Sequence, residues 1–504
     1  MAFTEEVLPH RAAFRDTYAA GRSQVVWTTV VADLETPVSA MLKLTGGRPL
    51  SFLLESVEGG AKRGRYSIIG TKPDLVWRCH GEAAEINRQC RFDRQDFRPE
   101  PLPTLESLRA LLAETRIDVP EELPPMAAGL FGFLSYDMIR LVEPVPLTNP
   151  DRIGLPDALF LRPTLIAIFD NIKDIITIVT PVFPGTGTDA DRAYDQALER
   201  LADAVADMGR GIGQALPAHV EQAPEPVANM SRADYHRMVE RAKEYIVAGD
   251  IFQVVPSQRF AVPFNLPPMA LYRALRRLNP SPFLFLLDLD GATLVGSSPE
   301  ILVRVRDGRV TVRPIAGTRR RGRDAAEDAA LAEEMLADPK DLAEHLMLLD
   351  LGRNDVGRVA RIGSVEVTEK MTVERYSHVM HIVSNVEGDL RPDCDVIDAL
   401  LAGFPAGTTT GAPKVRAMQI IEELEPERRS FYAGAVGYLS ADGNMDTCIA
   451  LRTALVKDGT MYVQAGGGVV ADSDPEAEYQ ESCNKARALV RAAEEAVRFA
   501  SRGR

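Results

Sequence analysis

The stretch SDPEAEYQESCNKARALVRAAEEAVRFA places Glu478, Glu481, Ser482 and Lys485 three, four and seven residues along from the first. On an α-helix that spacing makes a single face. Two readings are open. The face is a solvated stripe with a Glu481–Lys485 pair worth a few tenths of a kcal/mol, or it is turned toward an anionic ligand. A second acid bears on the choice. In DPKDLAEHLMLLDLGRND, Glu344 stands among Leu342, Ala343, Leu346 and Met347, where an acid that only solubilises is less expected. Carboxylates offered by two helices suit Mg2+, a hard cation that takes few protein ligands and keeps positions for water and substrate oxygen. Glu344 and Glu481 with Mg2+ sum to about zero charge, leaving Lys485 and Arg452 to attract an anion. Gly466-Gly467-Gly468 after MYVQA offers backbone N–H groups with no side chain in the way. A plain tight turn explains the glycines almost as well.

A second glycine segment, FPAGTTTGAPK at 404–414, invites comparison with a phosphate loop and fails it. A Walker loop has four residues between its glycines and a Lys-Ser/Thr pair directly after the second. Here three residues separate Gly407 from Gly411, and Ala412 and Pro413 precede Lys414. Val415 stands where the magnesium-binding hydroxyl belongs, and Pro413 lacks an N–H.

The elements that must position these groups are mixed. The chain has 504 residues, 45% hydrophobic and 26% charged, enough for two or three domains or one large composite core. A formal net charge of −14 argues against nucleic acid and anionic membranes as partners. Cys79, Cys90, Cys394, Cys448 and Cys483 form no CxxC pair, which fits a reducing compartment with neither disulfides nor zinc. MAFTEEVLPHRAAF has acids where a signal peptide is basic, and no stretch reaches the ~18 apolar residues of a membrane span. The expected location is therefore the cytoplasm.

Residues 207–228 are rich in Gly, Pro and polar side chains and read as a linker between an N-terminal regulatory or structural domain, 1–206, and a catalytic domain, 229–504. Short apolar runs such as SFLLESV, RYSIIG, DLVWRCH, TLIAIFD and DIITIVTPVF predict strands before it, beside the helix TLESLRALLAE. After it, SRADYHRMVERAKEYIVAGD predicts a helix capped by Ser231 and Gly249, with Tyr235, Met238, Val239, Ala242, Tyr245 and Ile246 on its apolar stripe. IFQVVPSQRF, FLFLLDLDG, TLVGSSPE, RVTVRPIAG, AGAVGYLS and MYVQAGGGVV predict further strands, and a long helix starts near Pro475. Mixed runs without strict β-α-β alternation favour an α+β fold with antiparallel sheets.

The ordered set GDIFQVVPSQRF, GSSPE, RPIAGTRRRG, AEHLMLLDLGRNDVGRV, VMHIVSNVEG, FPAGTTTGAPKVRAMQIIEELE, YAGAVGY and QAGGGVV…YQESCNKA resembles the chorismate-utilising enzymes. With LLES and NPSPFLF, the pattern is most similar to the large subunits (component I) of anthranilate synthases, and it spans about 35–495. Pro256 and Thr409 depart from it, standing where a larger aliphatic residue is expected. The resemblance implies a large antiparallel β-sandwich flanked by helices. It also implies conversion of chorismate and ammonia to anthranilate and pyruvate in tryptophan biosynthesis.

The sister enzymes differ in their nucleophile. Aminodeoxychorismate synthases carry lysine where this chain has Ala316 in PIAGT, and alanine cannot attack. Isochorismate and salicylate enzymes use a lysine base where this chain has Gln253, an amide that accepts no proton near neutral pH. Ammonia needs no such base. Aminodeoxychorismate synthase and a non-catalytic regulatory protein of the same fold remain the alternatives.

By resemblance, Glu300 is the general acid for the C4 hydroxyl and His381 assists pyruvate elimination, with His378 a weaker second histidine. Without the resemblance, Glu300 would be a strand end and His381 a core residue. The resemblance further assigns Mg2+ to Glu344 and Glu481, with Glu478 as a third acid, and the ring carboxylate to the 466–468 amides. Arg452 and Tyr432 take the enolpyruvyl carboxylate, while Gly317, Thr318, Thr408 and Lys485 complete the pocket, with Gly407 admitting the backbone to it. L-tryptophan as feedback inhibitor is assigned to Ser56, Pro282, Phe283 and Leu284, two segments remote from the chemistry. No cysteine stands in an amidotransferase elbow. A separate glutamine amidotransferase subunit (component II), in a hetero-oligomer such as a heterotetramer, is therefore implied as the ammonia source.

Overall fold

The structure, a computed structural model, describes residues 6–58, 62–185, 187–212, 225–376 and 379–501. All but two of its described strands join edge to edge in one antiparallel network that doubles over into two layers. Two long strands, Lys62–His80 and Ala158–Asp170, make the fold-over. Both halves of Lys62–His80 pair with Ala158–Asp170, but the register slips between Pro73 and Leu75. Proline has no ladder N–H to give, and Lys72 before it takes a left-handed φ of 54°. The ladder therefore bends there, and RYSIIG and DLVWRCH form one kinked strand rather than two.

One layer continues through Ser51–Glu58, Phe283–Asp288, Ala292–Ser298, Thr453–Lys457, Thr460–Gly466 and Ser257–Pro263. The other runs from Gly129–Leu134 through Ala435–Ser440, Met445–Ile449 and Ile301–Arg306 to Val379–Asp389. Between the layers, Phe52 stacks on Phe131 with ring centroids 4.4 Å apart, and Phe285, Ile168 and Leu455 fill the same core. Every residue of Ala158–Asp170 is buried because both its faces are covered. Each such large apolar side chain contributes about 1.5–3 kcal/mol.

Helices Pro37–Thr45, Ala190–Met208, Pro268–Leu278 and Pro475–Ser501 cover the outside of the first layer. Thr104–Glu114, Pro339–Gly357 and Val396–Gly403 cover the second. The α+β sandwich flanked by helices expected from the sequence is the fold observed. Ladders cross the 207–228 segment, since Phe283 pairs with Ser56 and Ala435 with Leu134. Residues 213–224 of that segment lie outside the described residues, as does His378.

The helix Arg232–Val247 starts at a Ser231–Asp234 capping box and runs out at Ala248, with Gly249 at φ 84°. Of its expected stripe, Tyr235, Met238, Val239 and Ala242 are buried, whereas Tyr245 and Ile246 are half-buried at its open end. IFQVVPSQRF is not one strand. Gln253–Val254 pairs with Gly411–Ala412 in a small separate sheet, and only Ser257–Pro263 joins the main one. Pro256 interrupts the run. The detour carries Gln253 and the 407–412 turn to the same edge.

Candidate active site

Glu300 follows the strand Ala292–Ser298, where Pro299 ends the ladder and turns the chain inward. Its carboxyl is buried, at 7% exposure, and the Thr408 hydroxyl donates to Oε1 at 3.0 Å. Burial pushes its pKa up to about 8, against the opposing pull of the Thr408 hydrogen bond. A carboxyl in that state holds a proton at neutral pH and can release it to a leaving oxygen. The main chain is pinned as well, because Ile449 N–H donates to the Glu300 carbonyl at 3.0 Å.

His381 lies on Val379–Asp389 between Met380 and Ile382, both fully buried against Ala332 and Met335. Alternation turns His381 to the opposite face, so it is half-buried rather than a core histidine. Its Nδ1 lies 3.0 Å from both the Gly317 carbonyl and the Thr318 hydroxyl. Donation from Nδ1 to the carbonyl leaves Nε2 as the accepting nitrogen. Burial depresses the ring pKa, so the imidazole is neutral and able to take a proton. Gly317 occupies a bulge between Ala316 and Thr318 at φ 67°, a conformation suited to glycine. Tyr376, which sequence reasoning missed, has its ring 5.6 Å from that of His381, and its hydroxyl donates to Glu374 Oε2 at 2.6 Å.

The acids and glycines also converge. Gln253 Nε2 reaches Glu344 Oε1 at 3.3 Å, and a Cβ added to Gly468 would stand 2.5 Å from that same nitrogen. One added to Gly467 would stand 2.6 Å from Glu478 Oε2 and 3.6 Å from Glu481 Oε1. Gly467 therefore lets the backbone approach the carboxylates, and Gly468 lets it approach the Gln253 amide. Ser473 Oγ donates to Glu478 Oε1 at 2.8 Å, while Glu478 Oε2 is buried and has no hydrogen-bond partner among the described residues. Burial holds Glu344 and Glu478 above the ordinary carboxylate range, and the charge of Glu481 adds to both shifts. Lys485 pairs with Glu481 at 2.7 Å and donates to the Gly466 carbonyl at 2.9 Å.

Among the described residues no three His, Cys, Asp or Glu side chains are gathered into a ready-made ion shell. The donor set nevertheless fits a hard divalent cation. An orphaned buried carboxylate oxygen and mutually repelling acids are what such an ion would satisfy, with water and substrate oxygens as its remaining ligands.

Arg452, at φ 47°, is driven below its ordinary pKa by burial, with Tyr432 and Glu481 opposing. Among the described residues no carboxylate forms an ion pair with it. Its guanidinium is free to grip a carboxylate in two-pronged fashion. Tyr432 is buried and its hydroxyl is pushed up to about 12, chiefly by burial. Arg452 also acts on His381, and Glu481 acts on Arg452 and Glu344. Arg452 thus lies within electrostatic reach of both His381 and Glu481, and Glu481 within reach of Glu344.

Sequence reasoning missed what holds the site. Arg429, fully buried, donates to Glu425, to the Thr409 carbonyl at 2.7 Å and to the Val255 carbonyl at 2.6 Å. Glu425 also accepts from Ser257 N–H and Oγ, each at 2.8 Å. The pair thereby bolts the Thr408 turn to the Gln253 segment. Within the turn, a Cβ added to Gly407 would meet Leu351 Cδ1 at 2.7 Å. That glycine allows close packing onto the helix Pro339–Gly357 and also lines the cavity beside Glu300 and Thr408.

The two segments expected to bind the inhibitor meet. Ser56 is the ladder partner of Phe283, and Phe283 in turn pairs with Ser298. Leu284 is buried, Pro282 and Phe283 are half-buried, and Ser56 Oγ donates to the Tyr66 carbonyl at 3.2 Å. Remote in sequence, these residues sit one strand from the one that delivers Glu300. Ser297 N–H also donates to the Arg452 carbonyl at 3.1 Å. Beside them, Arg276 donates twice to Glu55, at 2.6 and 2.8 Å, and Tyr272 donates to the same carboxylate. Glu55 was not expected to do this.

The model of the chorismate binding enzyme family matches residues 58–491. Anthranilate synthase component 1 of Cereibacter sphaeroides is 60% identical over 491 residues, covering 97% of this chain and 98% of that relative. The Pseudomonas aeruginosa protein of the same name is 48% identical, covering 92% and 94%. Among solved structures, anthranilate synthase component I from Streptococcus pneumoniae superposes with a TM-score of 0.74 at 36% identity, covering 91% of this chain and 98% of that one. MenF, the menaquinone-specific isochorismate synthase from Escherichia coli, shares the fold with a TM-score of 0.70 at 21% identity, covering 96% and 99%. The chain belongs to the chorismate-binding enzymes, on the branch of the anthranilate synthase large subunits.

Proposed function

We propose that this chain converts chorismate and ammonia to anthranilate, pyruvate and water. The observation that carries the reading is the buried, Thr408-bonded carboxyl of Glu300, protonated at neutral pH. Ala316 stands in the motif where a lysine would attack, and Gln253 replaces a lysine base. Arg452 and Tyr432 hold the enolpyruvyl carboxylate, and the 466–468 amides with Lys485 face the ring carboxylate. Glu300 gives its proton to the C4 oxygen, which leaves as water while ammonia bonds to C2. His381 Nε2 then takes the C2 proton as the C3–O bond to the enolpyruvyl group breaks, pyruvate departs and the ring becomes aromatic. Gly317 and Thr318 fix the histidine ring for that step.

Glu344 and Glu481, with Glu478 as a third acid, would hold Mg2+, which when bound would offset the repulsion of these acids and offer a cation to the substrate carboxylate. Tryptophan binding at Ser56, Pro282, Phe283 and Leu284 is supported by the ladder that joins these segments to the Glu300 strand. Ammonia comes from a glutamine amidotransferase partner, consistent with the "component 1" names of the relatives. Among the described residues no helix is long and apolar enough to cross a membrane, and we place the protein in the cytoplasm. The test is purified chain with chorismate, Mg2+ and either ammonium or glutamine. Anthranilate fluorescence should appear with ammonium and not with glutamine. Turnover of glutamine by the pure chain, or an aminated product that keeps its pyruvyl group, would overturn the reading.

A further inference from the structure

The lysine of FPAGTTTGAPK is absorbed neither by a phosphate loop nor by the chorismate site. Lys414 Nζ donates to both carboxylate oxygens of Asp355, each at 2.8 Å, and both side chains are about nine-tenths buried, at 9% and 11% exposure. Asp355 lies on the buried face of Pro339–Gly357, and Lys414 opens the helix Lys414–Leu424. Between Asp355 and the catalytic acid lies a cavity of about 30 Å3, lined by Glu300, Thr408, Leu351, Gly352, Pro314 and Asp355 among others. That volume is far too small for chorismate and suits about one water molecule. Thr408, which donates to Glu300, also faces it.

We infer that the Asp355–Lys414 pair reloads Glu300 with its proton through water in this cavity. The inference rests on the reading of Glu300 as general acid. After each turnover Glu300 is a buried carboxylate whose donor is the Thr408 hydroxyl, and it must regain one proton before the next. Reloading moves a proton from the Lys414 ammonium through Asp355 and the cavity water to Glu300. Lys414 is left an amine and is recharged from solvent. No oxidant or further reactant is needed. Burial raises the pKa of Asp355 against the opposing pull of Lys414, with Arg358 also lowering it and Glu143 raising it. Glu300 is faced by Thr408 and, across the cavity, by Asp355, behind which Lys414 is hydrogen-bonded; the charge of Tyr376 is also within its reach. Asp355 and Lys414 touch no substrate atom in this account, so they act as positioning and reloading residues.

The experiment follows kcat and kcat/KM against pH at constant free ammonia, with circular dichroism on the same preparations. The variants are Asp355→Asn, Lys414→Met, Lys414→Arg and the doubly neutral D355L/K414M. Asp355→Asn leaves an unbalanced cation, so the limb set by Glu300 should move down by about one pH unit, and Lys414→Met should move it up by about as much. Both should lower kcat by about tenfold or more with KM for chorismate within about twofold. Lys414→Arg keeps the charge but cannot release a proton. It should leave the limb in place, lower kcat and enlarge the solvent isotope effect. The double variant should restore the limb and not the rate. Folded variants with unshifted limbs, or Lys414→Arg at full activity, would overturn the inference. Glu300→Gln separates the two claims: if it stays active, the general-acid reading itself has failed. If it is dead while the pair's variants keep wild-type profiles, only the relay has failed.

Discussion

Arg452, just before the first-layer strand Thr453–Lys457, and Arg276, on the helix Pro268–Leu278 that covers that layer, are treated in opposite ways. Arg276 meets Glu55 through two hydrogen bonds that raise its pKa, and Tyr272 closes the cluster. Arg452 is buried without an ion pair among the described residues, and burial lowers its pKa. A buried charge left without a partner costs stability. A paired one stabilises only through its geometry and is strongly destabilising when broken. The contrast separates a site, where charge is held ready for a ligand, from a brace, where charge is already satisfied. Glu478 Oε2, without a hydrogen-bond partner among the described residues, belongs with the first kind, and Glu425–Arg429 with the second.

The sharpest way to break this contrast is to exchange the outcomes. Arg452→Met should reduce kcat/KM for chorismate by about a thousandfold, and its thermal midpoint should equal or exceed that of the wild type. A clear drop in melting temperature would make Arg452 a brace after all. Arg276→Met should do the reverse. Leaving Glu55 buried and unpaired should cost about 3 kcal/mol of stability in urea unfolding, with ammonia-dependent kcat retained in the folded protein. Loss of kcat without loss of stability would move Arg276 into the catalytic machinery.

Ser56→Phe probes the region between the two arginines. It should remove tryptophan inhibition, a coupling of about 1–3 kcal/mol, while activity without tryptophan persists. Inhibition curves that superpose on the wild type would reject Ser56 as part of that site. The smallest effect concerns Asp137, buried with Oδ1 unpartnered and pushed up to about 7 by burial and by the charge of Asp157. The folded state holds its proton where the unfolded chain does not, so stability falls as pH rises from about 4 to about 7 and then levels off. Asp137→Asn should flatten part of that slope and raise the melting temperature at pH 8 by about 2–4 °C. An unchanged slope would mean that this carboxyl is ionised in the fold.

The braces were the least legible part of the sequence. LEPERRS reads as a charged surface turn, and Arg429 is buried because, besides its local partner Glu425, the carbonyls of Thr409 and of Val255, 174 residues away, close over it. Local pattern carries no trace of such contacts. Capped helices were legible because their signals are local: Ser231 with Asp234 at one, and Asp474 accepting from Ala477 N–H at 2.8 Å at the other. Strands were found as apolar runs, but their continuity through Pro73 and their break at Pro256 depend on neighbouring strands. The glycines and acids of the site could be proposed from type and spacing. Glu300 and His381 could not, since a strand-end acid and a histidine between apolar residues look ordinary until the fold turns them inward.

The central claim is that Glu300 delivers the proton that expels the C4 oxygen. The direct measurement is anthranilate formation by Glu300→Gln and wild type, at saturating chorismate and Mg2+, across pH and referred to free ammonia. Glutamine keeps the shape and the Thr408 contact but has no acidic proton. The account predicts a loss of about 10²–10⁴-fold in kcat, with chorismate affinity nearly intact, and a wild-type rate that declines as pH rises through about 8. A Glu300→Gln enzyme within about tenfold of wild type, with the same alkaline decline, would contradict it.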